Sequence, residues 1–224
     1  RAAAVPLLRE AIEDLRGLEE DNDLRASAFA SGHLGNVLTD QGEYEEAERR
    51  LRDCVAALTS YRGDNHPEPA IAKVKLAHLL TKTKHNEEAE RLYHEAISVL
   101  ETRMGPGHQA TLATRSHLYR LICERDGYAA ARPIIEDMVA QAQASLGETH
   151  SDTVLYVGKW GKCQSQMGED ETAREHLEFA CEHMRRIRKD PCHPDCINFT
   201  EELAAVYGRL GQADAAAEQQ AILD

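Results

Sequence analysis

The feature that most restricts the fold of this chain is a period. Ala47, Ala89, Ala131, Ala173 and Ala216 are spaced 42, 42, 42 and 43 residues apart. Each lies in a similar octet, for example Gly42-Glu43-Tyr44-Glu45-Glu46-Ala47-Glu48-Arg49 and Lys84-His85-Asn86-Glu87-Glu88-Ala89-Glu90-Arg91. Leu34, Leu76, Leu118, Trp160 and Leu203 keep the same spacing, as do His66, His108, His150 and His193. Three series on one period mean a stack of similar supersecondary units, each too small to bury its apolar face alone.

Each unit reads as two helices. In the second copy, Leu76, Leu79 and Leu80 lie on one face of a helix expected over 71–82. A turn over 83–86 follows. Glu87 and Glu88 then open a second helix at the end where the dipole favours carboxylates. That helix continues through Ala89, Leu92, Tyr93, Ala96, Ile97 and Leu100, and Gly105-Pro106-Gly107 ends it. The predicted fold class is all-α, a right-handed solenoid of antiparallel helix pairs.

These motifs resemble tetratricopeptide repeats, and more narrowly the 42-residue type of kinesin light chains. The resemblance rests on the Gly-x-Tyr-x-Glu-Ala-Glu turn at 42–48, on Leu76-Ala77, and on the Leu-Gly-x-x-His-Pro type of loop near 62–67 and 104–109. Lys84 and Asp126 depart from it at the turn glycine. The expected organisation is one helical-repeat domain over 1–224: a half repeat (1–24), four repeats (27–67, 68–109, 110–151, 152–194) and a truncated fifth (195–224). Neither end carries a polar capping pattern. The chain is therefore expected to belong to a longer array or to self-associate through its ends.

The resemblance implies a protein-interaction scaffold or adaptor that holds a partner peptide in the concave groove lined by first helices. Its ligand-facing positions lie two and three residues before, and one after, the small residue of the first helix. The last of these reads Asn36, His78, Arg120, Lys162 and Ala205, with Lys82 and Arg209 one turn on. That cationic line, in a chain of net charge -13, suits an acidic peptide. The same cations could instead neutralise Asp40 and Glu124. Phe29, Ile71, Val74 and Leu155 could add apolar pockets or pack repeat on repeat. A second functional reading is a regulatory or sensor region that packs on a nucleotide-switch or protease domain of its own protein.

Charge argues against other partners. With 26 Lys and Arg against 39 Asp and Glu, neither nucleic acid nor an anionic membrane is expected to bind. Six scattered cysteines do not form a disulfide framework, so reduced thiols and a cytoplasmic setting are expected. Cys192, His193 and Cys196 have the residue types for zinc but lack a second ligand pair. His193 is also the fourth member of the loop series. Phosphate-loop, nucleophile-elbow and His-Glu-x-x-His motifs are absent from the sequence. No enzyme activity, cofactor or metal is expected.

Overall fold

The computed structural model describes residues 5–10, 21–188 and 193–223. Among them there is no strand. Residues 5–10 are helical (α1), followed by α2 (Asp21–Gln41), α3 (Tyr44–Arg62), α4 (Pro67–Lys82), α5 (Asn86–Met104), α6 (Gln109–Asp126), α7 (Tyr128–Leu146), α8 (Ser151–Gln166), α9 (Asp170–Arg188), α10 (Pro194–Arg209) and α11 (Ala213–Leu223). This is the all-α solenoid of paired helices that the period implies. The contacts form two compact units, Arg1–Leu121 and Ile122–Asp224.

Helix starts are set by the loop histidines. The Nδ1 atoms of His66, His108, His150 and His193 each accept the backbone N–H two residues on, at 3.2, 3.1, 3.2 and 3.3 Å. Each bond satisfies one of the N–H groups that a helix start leaves without a partner. Pro67 then occupies the first turn, where its missing N–H costs nothing. This cap is why α4 begins at Pro67, four residues before the start expected from apolar spacing.

The turns within pairs close by a shared bond pattern. Gly42, Gly168 and Gly211 take φ of 84°, 79° and 74°, and Lys84 takes 65°. The next residue then donates back across the helix end: Glu43 to Leu38, His85 to Leu80, Glu169 to Gln164 and Gln212 to Tyr207, at 2.9–3.0 Å. These bonds cap carbonyls at the helix C-terminus. The third copy differs. There α6 continues through Asp126, Gly127 takes φ 88°, and its N–H returns to Cys123 at 3.2 Å. Asp126 thus ends a helix, and the glycine beside it makes the turn.

Packing follows the period. Ala47, Ala89, Ala131 and Ala173 are fully buried, and Leu34, Leu76, Leu118 and Leu203 are buried with them. In the first unit, first helices stand beside first helices, linked by Arg25 to Glu68 at 2.5 Å and by Arg120 to His78 at 3.2 Å. Second helices stand beside second helices, linked by Arg52 to Glu88 at 3.0 Å. The second unit repeats the scheme: Ser165 donates to Glu202 at 2.5 Å between α8 and α10, and Arg185 to Gln219 at 3.0 Å between α9 and α11.

Candidate functional site: the first-helix face

In the first unit, α2, α4 and α6 present Asn36, His78, Lys82 and Arg120. Asn36, Lys82 and Arg120 are exposed and His78 is half-buried. The Lys82 ammonium lies 3.5 Å from Asp40. The Arg120 guanidinium reaches His78 Nδ1 at 3.2 Å. Arginine can only donate, so this ring nitrogen accepts and carries no proton. Burial, then the charges of Arg120 and Lys82, push the His78 imidazole below its ordinary value, while Asp40 acts the other way. The His117 ring lies 5.5 Å from that of His78 and stacks on Tyr93 with centroids 6.1 Å apart.

A second basic series lies on the same helices, two residues before the small residue: His33, Lys75, His117 and Lys159, ending in Glu202. The signal is present in the sequence, at the same 42-residue spacing as Asn36, His78, Arg120 and Lys162. Lys75 is the member with most consequence. Its amine is half-buried in the first unit, near Gly32 and the Cys54 side chain. Among the described residues no carboxylate lies within ion-pair distance of it. Burial lowers its pKa, and its charge in turn lowers that of His33. By contrast, Lys73 binds Asp64 and Glu95 at 3.0 and 2.9 Å.

The remaining sequence candidates have varied surroundings. Lys162, in the second unit, is half-buried on α8. Arg209, also in that unit, is held by Asp170 at 2.7 Å and donates to Ser165 Oγ at 2.6 Å. Phe29 packs on the cluster of Ala28, Cys54, Leu58 and Ala72, with the Arg25 guanidinium 5.3 Å from its ring centroid. Val74 packs on Ala70, Ala96 and Leu100, and Leu155 packs on the second unit's core. Ile71 alone of these four is exposed, at 38%.

The zinc candidate divides. Cys192 lies outside the described residues. His193 Nδ1 caps α10, and Cys196 is buried beside Phe199 and Leu203. Among the described residues, no three His, Cys, Asp or Glu side chains come together as a metal site. The Cys54 and Cys181 thiols are each pushed up to about 11 by burial, which suits core packing rather than nucleophilic chemistry. Trp160 is half-buried and its ring lies 4.4 Å from that of His176. No described helix is long and apolar enough to cross a membrane.

Comparison with known proteins agrees with the fold. Residues 25–102 match the tetratricopeptide repeat family model. Residues 25–102 are tetratricopeptide repeats. Its fold is similar to that of BtubC (BKLC) from P. vanneervenii, with a TM-score of 0.83 at 16% identity over 97% of this chain and 89% of the other. It is also similar to the nearly identical TPR-like repeats of a kinesin-light-chain-type protein from Podosopora anserina, at 0.72 and 21% over 92% and 95%. A third similar structure is YrrB, a TPR protein with an unusual peptide-binding site, at 0.56 and 15% over 96% and 89%. No curated protein sequence matches the chain significantly. At these identities the structures speak for the fold alone, a stack of tetratricopeptide-type helix pairs.

Proposed function

We propose that this tetratricopeptide chain is a non-catalytic adaptor, and that the first-helix face of its first unit binds an acidic segment of a partner protein. The observation that carries the reading is Lys75. Carboxylates outnumber cations in this chain by 39 to 26, yet this half-buried ammonium has none beside it among the described residues. Withdrawing a charge from water without a partner is unfavourable, and a ligand carboxylate would offset that cost. His33, His78, Lys82 and Arg120 lie along the same three helices, so successive acidic side chains of an extended peptide would meet successive donors.

The other properties follow this reading. Net charge of -13 opposes binding to nucleic acid and anionic membranes. Buried, protonated thiols suit a reducing cytoplasm, and the loop histidines already serve as helix caps. YrrB, a similar TPR protein with a peptide-binding site, supports peptide capture by this architecture in general.

The test uses a tetramethylrhodamine-labelled decaglutamate peptide and fluorescence anisotropy, with decaglutamine as control. Wild type should bind the glutamate peptide selectively. The Lys75→Glu/Arg120→Glu double variant should bind at least about tenfold more weakly, the equivalent of one lost charge-assisted bond, with unchanged helical circular dichroism. Equal binding by wild type and variant, or equal binding of the two peptides, would remove the proposal.

A further inference from the structure

The acidic-peptide face contains groups that change charge between pH 5 and 8, and they sit among its fixed cations. His78, on α4, faces Arg120 and His117 of α6, Lys82 of its own helix and Asp40 of α2. His33, on α2, follows Gly32, where a Cβ would lie 3.7 Å from the Lys75 ammonium of α4, and that charge lowers the His33 pKa. With no ligand bound, each imidazole gains from staying neutral. For His78 the reason is geometric as well as electrostatic: its Nδ1 is occupied by an N–H from Arg120 at 3.2 Å. A proton on that atom would turn the hydrogen bond into a collision between two donors.

A bound carboxylate reverses this balance. Placed near Arg120 and His78, it accepts from both, so the imidazolium gains a counter-charge where the empty face offers mainly repulsion. A carboxylate at Lys75 likewise neutralises the charge that opposes protonation of His33. Whatever favours the protonated histidine in the complex must, by linkage, make the protonated protein the tighter binder.

Resting on the acidic-peptide reading, we propose that His33 and His78 make that binding proton-linked: the complex takes up protons, and affinity rises as pH falls from 7.5 to 5.5. The sign follows from the two states. Both imidazoles sit below their ordinary value in the free chain and rise when an anion is bound. The window therefore runs from neutrality down to the free-chain values, and peptide glutamates stay largely ionised throughout it. The caps formed by His66, His108 and His150 lie in loops between pairs and do not belong to this face.

The experiment measures Kd for the rhodamine-labelled decaglutamate peptide at pH 7.5, 6.5 and 5.5 and constant ionic strength. It uses wild type, His33→Gln, His78→Gln and the double variant. One linked proton can give up to tenfold per pH unit. Wild type should therefore bind about tenfold tighter at pH 5.5 than at 7.5, each single variant should show a smaller ratio, and the double variant a ratio near one. The ratio within each protein is the readout, so a general loss of affinity does not mimic the effect. Wild-type binding that does not change with pH overturns the proton linkage and leaves the acidic-peptide reading standing. So does a double variant with the wild-type ratio. Absence of wild-type binding at every pH overturns both.

Discussion

Two glycines in the second unit should respond in opposite directions to the same substitution. Gly158 lies in α8 and Gly208 in α10. In a helix, replacing glycine by alanine gains roughly 0.5–1 kcal/mol, because the unfolded chain has less freedom to lose. At Gly208 nothing lies within 4 Å of the added Cβ, so Gly208→Ala should keep that gain. At Gly158 the Cβ would fall 2.4, 2.5 and 2.8 Å from Cε2, Cζ and Cδ2 of Phe199. Carbon atoms rest about 3.5–4.0 Å apart, so the ring must retreat by roughly an ångström. Phe199 is only 3% exposed, in a core with Val154, Leu177 and Met184, so it has little room to move. Overpacking of this kind costs about 1–3 kcal/mol, and the rigid ring edge argues for the upper end. The net expectation is a loss of about 2 kcal/mol for Gly158→Ala against a gain of up to about 1 for Gly208→Ala. Urea unfolding followed by circular dichroism measures both. Phe199→Leu in the Gly158→Ala background should recover stability that the same change loses in the parent, as a double-mutant cycle would show. If Gly158→Ala unfolds at or above the parent midpoint, the contact with Phe199 does not set the spacing of α8 and α10.

Lys84 should be improved by the glycine that its turn position takes elsewhere: its φ of 65° is left-handed, which costs a side-chain-bearing residue about 1–2 kcal/mol. Lys84→Gly should raise the urea midpoint, and a lower midpoint would show that its side chain compensates for the backbone. Glu68 is held below the usual carboxylate range chiefly by its hydrogen bond to Arg25. A carboxyl lowered in the folded state stabilises above its unfolded value and loses that contribution as pH falls through the folded one. Arg25→Gln should therefore lower the urea midpoint at pH 7 and make little difference near pH 3, and an equal effect at both pH values would rule out the ion pair as its source.

The fold was legible because its signals are local. Each helix pair needs a turn, a small crossing residue and an apolar stripe, and each recurs at a fixed interval. Asp126 illustrates the limit, since whether the helix ends before or after it depends on which neighbour adopts positive φ. The site was legible only as positions. Register placed His78, Lys82 and Arg120 on a first-helix face, but burial and pairing decide what each can do there. Arg209 is held by Asp170 from another helix, 39 residues away. Among the described residues Lys75 is left without a carboxylate, in a chain rich in them, and neither fact can be read from a residue's own repeat.

Histidine shows how one residue type separates into two roles once hydrogen bonds are known. The loop series recurs once per period, which marks it as part of the repeat. The structure supplies the reason: each Nδ1 accepts a helix N–H, a task that only an unprotonated nitrogen performs. His33 and His78 lie outside that series, on helix faces rather than in caps. Protonating them opens no helix end, so these two can change charge with a ligand while the solenoid keeps its caps. The same side chain therefore serves the fold where its lone pair is committed to backbone, and under the proposed acidic-peptide reading it would serve recognition where an incoming anion replaces the group that holds it neutral.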